Sequence, residues 1–544
     1  MPEASNRPTL SWRIDGLMAL GLVLLSFVLI AIGIGTPGVT WDEAHPNIPA
    51  AQSQAEWLRG LFSIDAPFSQ ETIDAYWFTT SDHPSLPRTL AALSQLLFTH
   101  ALGWLDELAA LRLSSVVQFS LLTGLLFVFL RAYLSRLGAL AGALSLLLMP
   151  RVFGHAHLFS LDVPIMVWWF TAAVAGHAVL RGWIAPIFFG LAYAIAFTTK
   201  LHAVFLPFPL LAWALLFVWQ ENENRADLLR RLAWAVGWAA VLTPIIYIGL
   251  QPWLWHDTVA RIIERFFEYA EKSEARPIPL YYLGTQFRGD TPWHYPLVML
   301  GLTLPTGILA FWLAGLSSPA WGPRMGPTSN LHLNTAGLPY LFLLLHMSVP
   351  LILVLLPLAQ AYDGCRLFLP CFPFVAGLAG FGFEAASCAL RRWAKPILVL
   401  PALLLIVILP SAISLPRLHP HYLAYYNQLA GGVNGARQLG METTYWCDSL
   451  TRSFLAEINA TVPPGSSLRP LSMPIEVMAY YQERGWLRND IDLFAEPPYD
   501  FHLLQSRQGM FTQVEWTLYL RRLPLAQASI EQVPLVALYG PLNP

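Results

Sequence analysis

Long apolar stretches, each almost free of charge and divided from the next by a short polar turn, dominate this chain. A helix that crosses a bilayer needs ~20 mostly apolar residues. Residues 17–40 meet that requirement without one charged side chain and follow Arg7 and Arg13. The run exceeds the ~7–15 residues of a signal-peptide core, so it reads as an uncleaved first span with its N-terminus inside. Similar segments follow at 113–130, 137–150, 163–180, 182–199, 201–219, 232–250, 296–316, 338–356, 367–386 and 396–411. Together they predict about eleven spans.

Basic residues orient this set. With the N-terminus inside, alternate loops are cytoplasmic and should be rich in Arg and Lys. Those loops hold Arg131 and Arg136, Arg181, then Arg225, Arg230 and Arg231, then Arg324, and finally Arg391, Arg392 and Lys395. A twelfth span at 89–104 would invert every later loop. That segment is short and carries Ser94, Gln95, Thr99 and His100, so it is placed on the outer membrane surface.

Three outward segments are then long: 35–112, 251–295 and everything after about 416. The last alternates strand-like runs (468–473, 491–494, 501–504 and 535–539) with helical ones (475–484 and 511–522). The expected architecture is a polytopic α-helical membrane module over 1–415, with an extracytoplasmic α/β domain over 416–544. The expected location is the plasma (inner) membrane of a cell, N-terminus in and C-terminus out.

Composition narrows the class. Only 12% of the 544 residues are charged and 55% are hydrophobic, against roughly 25% charged in soluble domains. Ordinary soluble enzymes and disordered chains are excluded. The balance of 32 Lys+Arg against 34 Asp+Glu predicts no nucleic-acid partner. Cys365, Cys371, Cys388 and Cys447 lack metal-type spacing and predict no disulfide framework.

Ionisable residues at the bilayer are then the informative ones. TWDEAHP sets Asp42 and Glu43 just beyond the first span, either as an interfacial charge pair or as a base made stronger by desolvation. SDHPSLPR contributes Asp82, His83 and Arg88, readable as a Pro-rich turn with a helix cap. MPRVFGHAHLFSLDVP puts Asp162 at the threshold of an apolar run, as a cap or a site acid, with Arg151, His155 and His157 nearby. His155 and His157 share one side only on an extended segment, where a carboxylate would complete a divalent-metal site. No cofactor is otherwise required, so a divalent metal stays open.

Lys200, one of three lysines, lies between two uncharged runs, where it either snorkels or holds a lipid phosphate. AYDGCRLFLP supplies Tyr362, Asp363 and Arg366 across a tight Gly turn. The 251–295 loop adds a charged helix at 258–272 and an aromatic-rich run with Arg288 and His294. All these clusters fall on one predicted face, which implies a site opening outward.

In order and sidedness these motifs resemble the GT-C membrane glycosyltransferases. They look closest to the branch holding protein O-mannosyltransferases and the bacterial aminoarabinose transferases that act on lipid A. The shared pattern runs from Asp42-Glu43 through His83-Pro84, Asp162-Val163-Pro164 and Thr199-Lys200 to the Tyr362–Arg366 turn. HPHYLAYYNQLAGG also looks like the start of the C-terminal domain in bacterial relatives. Departures exist: the usual His-Pro-Pro is His-Pro-Ser here, and no Trp-Trp-Asp oligosaccharyltransferase signature occurs.

The resemblance implies inverting transfer of a monosaccharide from a polyprenyl-phosphate-sugar donor to a hydroxyl of a protein or of a lipid or glycan, on the outer face. It makes Asp42 the general base, with Glu43 and Asp162 in support. Lys200 and Arg366 hold the phosphate, and His83, Tyr362 and Arg288 complete the substrate-binding set. The chemistry agrees, since an activated sugar outside the cytoplasm must arrive on a lipid, and its displacement needs a base and phosphate-binding cations. The alternative is a secondary transporter or lipid flippase. Such proteins usually carry ionisable groups at the bilayer midplane, whereas these spans have few at their centres.

Overall fold

The computed structural model describes residues 12–77, 83–220, 224–275, 277–289, 291–317, 333–356 and 361–542. Helix α1 (Trp12–Ala31) leads into a loop ending in a π-turn (Glu43–Asn47), then α2 (Ile48–Gly60), α3 (Gln70–Trp77) and α4 (Leu86–Gln95). Next come α5 (Glu107–Arg131), α6 (Arg136–Leu147), α7 (Pro150–Ala156), α8 (Asp162–Leu180) and α9 (Pro186–Thr199). They are followed by α10 (Pro207–Gln220), α11 (Arg225–Gly249), α12 (Thr258–Ala275) and a hairpin of β1 (Pro279–Tyr282) and β2 (Thr285–Arg288). The bundle closes with α13 (Tyr295–Thr303), α14 (Thr306–Leu316), α15 (Leu333–Leu355), α16 (Phe372–Leu390) and α17 (Pro396–Leu418).

Each segment expected from the apolar pattern overlaps one of these helices or a broken pair of them, although α1 stops at Ala31, short of the expected end at 40. Among the described residues, seven helical stretches are long and apolar enough to cross a membrane, or eight if the bent pair α6 and α7 is one span. The chain is therefore a polytopic helical membrane protein. The count is lower than expected because α9, α14 and Pro339–Leu355 are apolar but shorter. Proline explains some of the breaks: Pro150 opens α7 after a 65° bend, and Pro186 and Pro305 lie where α9 and α14 begin. A proline ring excludes a preceding helical turn but suits the start of a new one.

Helix α16 is central, with 89% of its apolar window buried. It achieves that through backbone proximity. A Cβ on Gly382 would lie 1.9 Å from the Phe311 carbonyl oxygen, and one on Gly315 2.0 Å from that of Leu378. Small residues let helices approach this closely in lipid, where dispersion rather than water expulsion drives packing. The 3-10 turn Arg366–Cys371 leads directly into α16, so its first residue inherits a fixed position.

At one end of the bundle Asp15 pairs with Arg131 at 3.2 Å and Arg136 at 2.7 Å. The opposite end carries the long loops and the C-terminal residues. There α18 (Gly432–Gln438), α19 (Arg452–Thr461), α20 (Ile475–Glu483) and α21 (Gln513–Arg521) accompany β3 (Leu468–Leu471), β4 (Phe501–Gln505), β5 (Ala526–Ile530) and β6 (Val533–Tyr539). The sheet order is β3-β4-β6-β5, with β3 and β4 parallel and the other pairs antiparallel. Glu531 and Gln532 both have positive φ and close the β5–β6 hairpin, as a two-residue turn between twisted strands requires.

Strands stand where 468–473, 501–504 and 535–539 were expected. The 491–494 run makes only an isolated bridge between Asp492 and Ser467. One buried cluster unites Leu455, Leu468, Leu503 and Val536 with Val39, Ile48, Leu111 and Phe159. The C-terminal residues thus share a core with the first loop.

Candidate active site

The α1–α2 loop is held in place from the C-terminal side. Gly38 and Trp41 donate their amides to the carbonyls of Asp448 (2.8 Å) and Trp446 (3.1 Å). The Tyr481 hydroxyl accepts from the Val39 amide at 2.7 Å and donates to the Leu450 carbonyl at 2.9 Å. The loop is therefore backbone-anchored where its two acids occur.

Those adjacent acids part company. Glu43 is fully buried and paired with the equally buried Arg112 through both carboxylate oxygens, at 2.7 and 2.8 Å. It also accepts from the Phe159 amide (2.8 Å) and the Thr40 amide (2.9 Å). Arg112 gives its remaining donors to the carbonyls of Ile34, Pro37 and Gly38, so its five N–H groups are all engaged. Glu43 has nothing left with which to orient a substrate. Expected to support Asp42, Glu43 points its side chain inward to Arg112, while its neighbour's reaches Arg366.

Asp42 accepts from the Trp446 indole at 3.3 Å and from Arg366 Nη2. Its side chain is 29% exposed, against 2% for Asp162 and 4% for Asp363. Asp162 opens α8 and Lys200 ends α9; they meet at 2.7 Å. Arg366 joins everything. Its Nε reaches Asp162 at 2.9 Å, its Nη1 reaches Asp363 at 3.0 Å, and its guanidinium lies 4.3 Å over the Trp446 ring. Asp363 and Gly364 both take left-handed backbone, which turns the chain sharply enough to aim Asp363 back at Arg366. Position 364 needs glycine for a second reason: a Cβ there would lie 2.5 Å from Arg151 Nη1 and 2.9 Å from the Tyr445 ring.

Asp363 takes a second cation, Arg507 Nη2, at 2.8 Å. Three acids, Asp42, Asp162 and Asp363, are thereby interleaved with three cations, Lys200, Arg366 and Arg507. The cluster is neutral as a whole, and its acceptors compete for one guanidinium. Burial pushes the Asp42 carboxyl above its ordinary range, opposed by the charge of Arg366. Such a carboxylate is a better proton acceptor than a solvated one.

The other expected residues distribute unevenly. Burial and the nearby cations Lys200 and Arg88 hold the His83 imidazole well below its ordinary value, and its ring is 6.4 Å from His202. It is therefore neutral and near the Lys200 end of the cluster. Burial likewise raises the Tyr362 hydroxyl, which feels Arg366, Asp363 and Asp42. Arg288 ends β2 opposite Pro279 and is exposed on the hairpin. Asp82 lies outside the described residues.

His155 and His157 do not face a common point. They lie at the end of a short helix, not on an extended segment. His155 contacts the Tyr445 hydroxyl at 3.3 Å, while His157 donates to the Phe153 carbonyl at 2.8 Å and packs on Tyr422. Among the described residues, no group of three or more His, Cys, Asp or Glu is arranged to hold a metal. The sequence reading missed Arg112, Trp446 and Arg507 as neighbours of the expected acids. Trp446 and Arg507 belong to the C-terminal residues, and nothing in their local pattern marks them.

Between them, α8, α9, α10 and α11 line a partly open apolar pocket of about 420 Å³, with Gly176, Phe189, Tyr193, Leu210 and Ala239 among its lining residues. Asp162 and Lys200 stand at the far ends of two of those same helices.

No family model matches the sequence, and no curated protein matches it. Solved structures do resemble the chain. They include arabinofuranosyltransferase AftD from Mycobacteria, at 13% identity over 98% of this chain and 42% of that one, with a TM-score of 0.41. A second is the S. cerevisiae protein O-mannosyltransferase Pmt1-Pmt2 complex bound to the sugar donor, at 16% identity over 45% and 35%, with a TM-score of 0.33. A third is ArnT from Cupriavidus metallidurans bound to undecaprenyl phosphate, at 13% identity over 96% of this chain and 97% of that one, with a TM-score of 0.49.

Proposed function

We propose that the protein is an inverting membrane glycosyltransferase, moving a monosaccharide from a polyprenyl-phosphate-sugar to a hydroxyl acceptor on the outer membrane face. One observation carries this reading: the one partly exposed carboxylate of the cluster, Asp42, shares the Arg366 guanidinium with a buried Asp162–Lys200 pair. A base and two phosphate-binding cations are thus a side chain apart. The apolar cavity beside the same helices suits a polyprenyl chain, and the motif order resembles the GT-C enzymes.

In the proposed reaction Asp42 takes the proton of the acceptor hydroxyl. The acceptor oxygen attacks the anomeric carbon from the side opposite the phosphate, and the bond from that carbon to the phosphate oxygen breaks. The departing polyprenyl phosphate keeps the electron pair and is held by Lys200 and Arg366. Donor binding and base activation are coupled here. A phosphate competes with Asp42 for the Arg366 N–H groups, so its arrival releases the carboxylate for the acceptor. Arranged electrostatics of this kind act where charge develops on the leaving oxygen.

A transporter reading has less support, because the clustered charges stand at helix ends and not at broken helices in mid-bundle. Protein and lipid or glycan acceptors both remain consistent with the site. The test is mass spectrometry of membrane glycolipids and of outer-compartment glycoproteins from cells carrying the gene, lacking it, or carrying Asp42→Asn. One fraction should show a sugar-sized mass that needs both the gene and Asp42. Identical profiles in all three strains would overturn the proposal.

A further inference from the structure

Arg507 is the cation of the cluster that comes from the C-terminal residues. It lies just after β4, ahead of the 3-10 turn Gln508–Met510. Its side chain is 3% exposed, so it is enclosed and not a surface charge that happens to reach inward. Its segment is fastened on several sides. Ser506 donates its amide to the Leu535 carbonyl at 2.9 Å, and Gly509 donates to Glu442 Oε1 at 2.8 Å. Gln505 accepts from the Cys447 thiol at 2.8 Å, and Gln286 of the hairpin donates to the Gln508 carbonyl at 2.7 Å. A guanidinium on so fixed a segment is held with its direction set in advance.

What it does there follows from the electrostatics of Asp363. That carboxylate gives one oxygen to Arg507 and the other to Arg366. Without Arg507, Asp363 would keep its buried charge with Arg366 as its one remaining ion pair among the described residues. Arg366 would be drawn toward Asp363 and away from Asp42 and Asp162. A buried charge attracts its partner more strongly than an exposed one, so the competition is decided by the enclosed acids and not by solvent.

We propose that Arg507 is a positioning residue: by satisfying Asp363 it leaves Arg366 free to reach Asp42 and Asp162, so the C-terminal residues complete the phosphate-binding end of the site. This rests on the reading of Lys200 and Arg366 as phosphate-holding. It adds that the membrane helices alone do not make a competent site.

The experiment measures undecaprenyl phosphate binding to the full-length protein in nanodiscs, in a double-mutant cycle of Arg507→Gln and Asp363→Asn. Arg507→Gln alone should weaken binding by about tenfold, the size usual for contacting charges. In the Asp363→Asn background the same change should cost less than about twofold, since position 363 then has no charge to pull on Arg366. A loss of packing would cost as much in either background, and that result overturns the proposal, as does no loss at all. Arg507→Lys keeps the charge and should bind within about threefold of the unaltered protein; a loss as large as that of Arg507→Gln counts against the idea.

A cryo-EM structure of Arg507→Gln tests the geometry without any ligand. Arg366 should have left Asp42 for Asp363, and an unmoved Arg366 refutes the inference. If the unaltered protein fails to bind undecaprenyl phosphate, the proposed function fails, while the position of Arg366 still judges Arg507.

Discussion

Two ion-pair systems stand side by side at the loop-bearing end of the bundle, rooted in neighbouring residues. Glu43 and Arg112 form a closed pair with every donor and acceptor engaged and no exposure. Asp42 and Arg366 belong to an open set in which three acids compete for one guanidinium and one acid faces outward. The closed pair has no capacity to respond to a ligand. The open set has, because any new anion alters how the Arg366 N–H groups are shared. Saturation marks a brace, and competition marks a site.

The strongest way to break that comparison is to neutralise each neighbour in turn. Asp42→Asn should lower gene-dependent sugar transfer by about 10²–10⁴ and leave the thermal midpoint of the purified protein unchanged. Glu43→Gln should do the reverse, destabilising the fold by about 3–5 kcal/mol by leaving Arg112 buried without its charge partner. Detergent-phase thermal unfolding reads the second effect. An inactive but stable Glu43→Gln protein would contradict the division of labour.

A smaller effect concerns pH. Arg366 opposes the burial that raises Asp42, so Arg366→Gln should move the acid limb of kcat/KM to higher pH. The pH–rate profile of residual activity checks it, and an unmoved limb would detach Asp42 from the rate.

The smallest expected effect lies behind the site. Burial raises Glu442 from 4.5 and Asp448 from 3.8, each to about 7. Between their ordinary and raised values the folded protein holds protons that the unfolded chain has released. Stability therefore falls as pH rises from 3.8 (Asp448) and 4.5 (Glu442) to about 7 and levels off above. Glu442→Gln should flatten that slope in thermal melts across the range, while the same melts of Asp42→Asn should change less, since the charge of Arg366 opposes the burial that raises Asp42.

Much of the helical pattern was legible in the order of the residues. Bilayer-length apolar runs announce themselves, and a charge next to one is conspicuous because lipid penalises it. Asp162 and Lys200 could be singled out that way, each at a helix end. Span lengths were less legible, since prolines such as Pro186 and Pro305 interrupt runs that hydropathy alone joins. The alternative of a metal held by His155 and His157 needed an extended segment, since residues two apart share a side only there, and a short helix forms instead.

The sequence by itself determined that this is a membrane-spanning protein and which ionisable residues stand at the ends of its helices, because both follow from local chemistry. Local chemistry could not separate Asp42 from Glu43, which are identical in charge and adjacent; only the family resemblance gave them different roles. Only the tertiary structure decided that one faces Arg366, 324 positions away, and the other Arg112. Nor could any local pattern connect Arg507 with Asp363 across 144 residues. Which charges meet depends on how helices and C-terminal strands pack, and that is where brace and site part.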